Sequence, residues 1–138
     1  LSCFFSNFQP NRAMLHFQTL AGAAALYDAA FTAWFRALEA LPLNVHVLRY
    51  ESMIADLEGE MRRMMTFLDL PWTDAVLDNQ ANAAKRGQIK TASYAQVIEP
   101  IYTRSLGRWH AYRRHLEPVM PVMKPWIERL GYTLDPDA

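Results

Sequence analysis

Apolar residues recur at Leu20, Ala24, Tyr27, Phe31, Trp34, Phe35, Leu38 and Leu41. Steps of three and four predict an amphipathic helix with a wide buried face, ended by Pro42. The next run, NVHVLRY from Asn44 to Tyr50, brings β-branched residues together after a turn signal and predicts a short buried strand at about 44–50. Coming after a long helix, that strand is expected to be parallel, half of a βαβ unit whose first strand would lie before residue 1. A second stripe, Ile54, Leu57, Met61, Met64, Met65 and Leu68, marks another helix, with Asp56, Glu58 and Glu60 near its start and Pro71 closing it. A Met-rich stripe of this kind is more often core packing than a binding groove. Thr73 opens a short helix that Gly87 ends. Val119, Met123, Trp126, Ile127 and Leu130 form the inward face of a terminal helix.

Between the last two helical regions lies TASYAQVIEPIYTRSLGRW, Thr91 to Trp109, which has neither a helical nor a strand period. A loop of that length usually holds a ligand or is disordered, and its aromatic content argues against disorder. Lys85, Arg86, Lys90, Arg104 and Arg108 bracket its hydroxyl residues. Cations and hydroxyls converging on a loop suit phosphate or sulfate oxygens. Tyr50 and Glu51 would stand at the carboxyl end of the strand, where open α/β sheets bind ligands. Ser2 would fill that role in the preceding βα unit.

Composition narrows the function. Half the chain is apolar, so its 138 residues can form a folded core. Fourteen basic residues balance fourteen acidic ones, which removes the net positive field that nucleic acid or an anionic membrane would need. No apolar run approaches the ~18 residues of a membrane span. A single cysteine, Cys3, excludes an internal disulfide and points to a cytoplasmic, reducing compartment. The start, LSCFFSNF, has no initiator Met, basic stretch or cleavage pattern; it is expected to be the middle of a longer protein rather than a signal peptide. No phosphate-cradling glycine loop, paired-cysteine site or zinc-binding histidine pair is present. His110 and His115, five apart, do not share a helix face, and no metal is expected.

The residues nevertheless resemble a known family. VHVLRYESMIADLEGEMRRMMTFLDLPW resembles the sulfotransferase superfamily segment in which a strand ending in Arg-Tyr-Glu leads to a helix and then Leu-Pro-Trp. TASYAQVIEPIYTRSLGRWHAYRRHLEP is similar to the C-terminal cofactor loop of protein-tyrosine sulfotransferases and of bacterial tetratricopeptide-repeat sulfotransferases. LSCFFSNF resembles the end of the segment that holds the cofactor's 3'-phosphate. The resemblance implies a P-loop-like α/β fold, of which this chain would be the mostly helical C-terminal part, residues 1–138 of a single domain. It implies transfer of a sulfuryl group from 3'-phosphoadenosine 5'-phosphosulfate to an acceptor hydroxyl, including that of a protein tyrosine.

Carried over residue by residue, Ser2 would contact the 3'-phosphate and Tyr50 the adenosine. Ser93, Tyr94, Gln96 and Val97 would form the loop over the nucleotide, ended by Tyr102. Arg108 would meet the 5'-phosphate or the sulfate, and Arg86 with Gly87 would match a basic-glycine element near the 3'-phosphate. The family's phosphosulfate loop and general base fall outside these residues, so no catalytic residue is expected here and this piece alone should not turn over. A basic residue expected four positions after Ser2 is replaced by Ser6. Exposed apolar surface would favour a homodimer. Two rival readings are a non-catalytic helical interaction module with a basic docking loop, and a kinase-like nucleotide-binding fold.

Overall fold

A computed structural model describes residues 1–6, 8–9, 11–78 and 103–134. The chain divides into two compact units, Leu1–Leu43 with Gly107–Ala138, and Asn44–Leu106.

The first unit is organised by one long helix. A short helix α1 (Ser2–Phe5) and a 3₁₀ turn (Met14–Gln18) precede α2 (Leu20–Ala40), which realises the first apolar stripe almost to the residue. Thr19 caps α2 by accepting a hydrogen bond from Gly22 N at 3.0 Å, satisfying one of the amides that a helix start leaves open. Gly22 is required there by close approach: a Cβ would stand 2.5 Å from the His16 carbonyl oxygen. At the other end Leu43 N bonds Leu41 O at 2.8 Å, a tight turn around Pro42 that ends the helix.

The return segment comprises a 3₁₀ turn (Arg108–Tyr112), α5 (Arg113–Leu116), a further 3₁₀ turn (Glu117–Val119) and α6 (Met120–Arg129); α3 (Tyr50–Ala55) and α4 (Leu57–Phe67) lie in the second unit. Helix α6 packs along α2 through Trp126, whose ring lies 5.7 Å from Phe35 and 5.8 Å from Phe31. Its Nε1 donates to Asp28 Oδ1 at 2.7 Å. Arg129 lies over the Phe35 ring at 3.8 Å and pairs with Glu39 at 3.3 Å. Among the described residues of this unit, Ala24, Val119 and Trp126 are buried. The stripe on α2 is wider than its cover: Trp34 and Leu41 stay 42% and 53% exposed among the described residues, so the expected buried face is only partly buried.

The second unit contains the non-helical segment 44–49, α3 (Tyr50–Ala55), α4 (Leu57–Phe67) and a 3₁₀ turn (Asp74–Leu77). The expected strand at 44–50 is not formed. Arg49 keeps an extended backbone, but no strand ladder occurs among the described residues, and Val47 remains 73% exposed. β-branched residues favour extension locally, whereas a strand is a relation between two segments and needs a neighbour to bond. The described residues are therefore mostly helical, and the α/β class remains what the resemblance implies for the whole domain. Tyr50, placed by the sequence at a strand end, opens α3 instead.

The single helix expected after Glu51 is two. Asp56 breaks it with a non-helical backbone and caps α4, its Oδ1 accepting from Gly59 N at 2.9 Å. Aspartate competes for backbone amides in this way and so favours caps over helix interiors. Glu58 and Glu60 then occupy the first turn of α4, where the helix dipole favours acids, and hold Arg62 and Arg63 at 2.6 and 2.7 Å. Met61 and Met65 are buried as the stripe predicted. Arg62 also lies 3.9 Å over the ring of Trp72, which donates to Asp74 Oδ1 at 2.8 Å. Arg62 and the Trp of the Leu-Pro-Trp element thus fasten α4 to the following turn.

Candidate functional site

Ser2, the first residue of α1, is exposed, and its hydroxyl makes no hydrogen bond among the described residues. Ser6, standing where a basic residue was expected, turns its hydroxyl back to the Ser2 carbonyl at 2.8 Å. It closes the helix and adds no charge. Phe5 on the same helix packs against Tyr112, with ring centres 5.1 Å apart. The Arg108 guanidinium lies over the same Phe5 ring at 5.6 Å. A cation over an exposed aromatic face is held by about 0.5–1 kcal/mol, enough to orient the side chain without consuming its N–H donors.

Gly107 sets the direction of this approach. Its φ of 61° is the left-handed conformation that glycine adopts without strain, and it precedes the turn that carries Arg108. Arg108 is exposed and makes no ion pair or hydrogen bond among the described residues. An arginine with its planar fork open presents paired donors to an oxyanion.

The structure therefore brings two predicted site elements, Ser2's helix and Arg108, to one ring. Tyr50 is half-buried and belongs to the second unit. Arg86, Gly87, Ser93, Tyr94, Gln96, Val97 and Tyr102 lie outside the described residues. Phe5 and Tyr112, the platform on which the two elements meet, were not singled out from the sequence. Nothing in local periodicity distinguishes an aromatic that joins two distant segments from one that fills a core.

Charge is concentrated where Arg108 lies. Arg108, Arg113 and Arg114 are all exposed, and no acid intervenes before Glu117. His110 and His115 are likewise exposed, with His110 stacked on Trp109 at 4.0 Å. No group of three or more metal-ligating side chains occurs among the described residues. No described helix is long and apolar enough to cross a membrane.

Residues 1–74 match the sequence model of the sulfotransferase family. Protein-tyrosine sulfotransferase 1 of Danio rerio is 32% identical over 127 residues, covering 81% of this chain and 34% of that protein. Protein-tyrosine sulfotransferase A of Caenorhabditis elegans is 33% identical over 92 residues, 64% of this chain and 24% of that protein. An uncharacterized protein of Aquifex aeolicus (strain VF5) is 30% identical over 89 residues, 64% of this chain and 11% of that one. The chain thus spans about a third or less of the length of these relatives. No solved structure matches it. With more than half of its residues inside the family's sequence model, the chain belongs to the sulfotransferase family.

Proposed function

We propose that the chain forms part of an enzyme that transfers a sulfuryl group from 3'-phosphoadenosine 5'-phosphosulfate to an acceptor hydroxyl, the phenol of a protein tyrosine among them. The observation that carries this reading is the meeting of α1 and Arg108 at Phe5, with the guanidinium and the Ser2 hydroxyl both open to an anion. Sulfuryl transfer resembles phosphoryl transfer in needing in-line placement and charge neutralisation rather than covalent catalysis by the protein. An open arginine fork suits that task. The protein-tyrosine sulfotransferases among the relatives favour a protein acceptor.

Within this reading Ser2 and Arg86–Gly87 serve the 3'-phosphate, Arg108 the 5'-phosphate or sulfate, and Tyr50 with Tyr94 the adenine. Ser93, Gln96, Val97 and Tyr102 form the loop over the nucleotide. In this reading the phosphosulfate loop and the general base come from residues other than these 138, so the chain alone is expected to give no turnover. Attachment to a tetratricopeptide-repeat protein, a cytoplasmic location and homodimerisation belong to the same proposal.

Calorimetric titration with 3'-phosphoadenosine 5'-phosphate tests it, using the chain itself and the chain extended upstream along its coding sequence. Arg108→Ala in the extended protein is expected to weaken binding by about 1.5–3 kcal/mol, the usual range for hydrogen bonds to charged groups. An unchanged dissociation constant removes Arg108 from the site. Failure of both forms to bind favours the non-catalytic interaction module, and displacement of the nucleotide by ATP favours the kinase-like alternative.

A further inference from the structure

Arg108 and Trp109 are consecutive residues with different surroundings. Arg108 meets Phe5, whereas Trp109 helps to line a cleft of about 430 Å³ in the same unit. Leu116, Met120, Pro121 and Leu134 supply most of the remaining apolar lining. Three charged groups complete it: Arg113, Lys124 and Glu117. None of the residues proposed to hold the nucleotide lines this cleft.

Two features give the cleft a ligand chemistry. Its volume and its largely apolar lining with a few polar groups match small-molecule sites, which typically fall between about 300 and 1,000 Å³. Its charge is unbalanced, with two cations against one carboxylate. Arg113 makes no ion pair among the described residues, so its guanidinium is available. Lys124 has only a long, exposed contact to Glu128 at 3.8 Å, which a competing anion displaces at little cost. Trp109 is half-buried and offers a flat apolar surface of the kind planar rings pack against.

We propose that this cleft binds an amphipathic anion: a planar apolar body bearing one carboxylate or sulfonate. The body packs against Trp109, Leu116 and Met120, and the anionic group engages Arg113 and Lys124. This inference stands apart from the nucleotide reading, since it uses other residues.

The test titrates the full chain with anilinonaphthalene sulfonate and follows the Trp109 indole N–H by two-dimensional NMR, the resonance being assigned through the backbone. A saturable shift of that resonance is expected, unaffected by 3'-phosphoadenosine 5'-phosphate. Phenylnaphthylamine, the same body without its sulfonate, is expected to bind about tenfold more weakly, the scale of one lost charge-assisted contact. The double variant Arg113→Ala/Lys124→Ala should weaken the sulfonate by a similar factor and leave phenylnaphthylamine unchanged. A sulfonate that binds without moving the Trp109 resonance overturns the proposal, because the exposed faces around Trp34 or Val47 would then hold it. Equal affinity of the neutral and anionic bodies overturns it as well, and that comparison needs no variant to fold.

Discussion

The contact between Trp126 and Asp28 joins residues 98 positions apart and is the clearest single determinant of how α6 sits on α2. The Nε1–Oδ1 distance is 2.7 Å in a partly buried setting, with a carboxylate acceptor. Such a bond contributes about 1.5–3 kcal/mol, and removing the acceptor also leaves an indole N–H buried without a partner. Trp126 is only 9% exposed and stacks at 12° on Phe35, an arrangement worth roughly 0.5–1.5 kcal/mol beyond area burial. Trp126→Phe removes the donor and keeps most of the stack, whereas Trp126→Ala removes both and should cost about 3–5 kcal/mol. Asp28→Asn keeps a neutral acceptor and should cost less than Asp28→Ala. Urea denaturation followed by far-ultraviolet circular dichroism, on Asp28→Ala, Trp126→Phe and the double variant, closes a mutant cycle free of the lost tryptophan fluorescence. The expected coupling is at least about 1.5 kcal/mol. A coupling under about 0.5 kcal/mol, the scatter of independent sites, would refute the claim that this bond holds the two helices together.

Three further outcomes follow from local geometry. Asp69 ends α4 at φ 53°, its N–H bonded to Thr66 O and the next N–H to Met65 O, in the position that Gly131 fills after α6. Asp69→Gly should therefore raise stability by about 1 kcal/mol, read as a higher urea midpoint with an unchanged slope, since left-handed backbone costs a residue with a Cβ roughly that much. Thr19→Ala removes the α2 cap and should lower stability by about 1 kcal/mol; an unaltered midpoint would mean that the cap is replaced by solvent. Burial pushes the Tyr27 phenol above its ordinary value of 10.0, and its ring is stacked at 4.4 Å on Phe31. A raised folded-state value means that the contribution is complete below the unfolded value and is lost as pH climbs through the folded one. Tyr27→Phe should accordingly lessen the loss of stability above pH 10, measured by alkaline denaturation; identical curves for the two proteins would discount that burial.

The order of elements was legible because periodicity and caps are local. Leu20 to Leu38 at helical spacing and Pro42 after them mark α2 with no knowledge of what it packs on, whereas its Thr19 cap was found only in the structure. Met61 and Met65 point inward for the same reason. The break at Asp56 was written locally too, but the apolar stripe ran through it and hid a side chain that prefers capping an amide to continuing a helix. The strand at 44–50 could not be read locally. Extended backbone is a propensity of single residues, whereas a ladder needs a second segment alongside, and the described residues provide none.

The candidate site divides in the same way. The sequence by itself marked Ser2 and Arg108 as chemistry-bearing residues and determined the chain's family through ordered motifs. Only tertiary structure decided that α1 and the Arg108 turn meet, because the meeting is made by Phe5 and Tyr112, more than a hundred positions apart and silent in any local pattern. It also decided that Arg62 and Trp72, which lie within the quoted motif segment, fasten α4 to the turn after it. A spacing rule records which groups repeat on one element; the contacts between elements depend on where the whole chain can bury its rings.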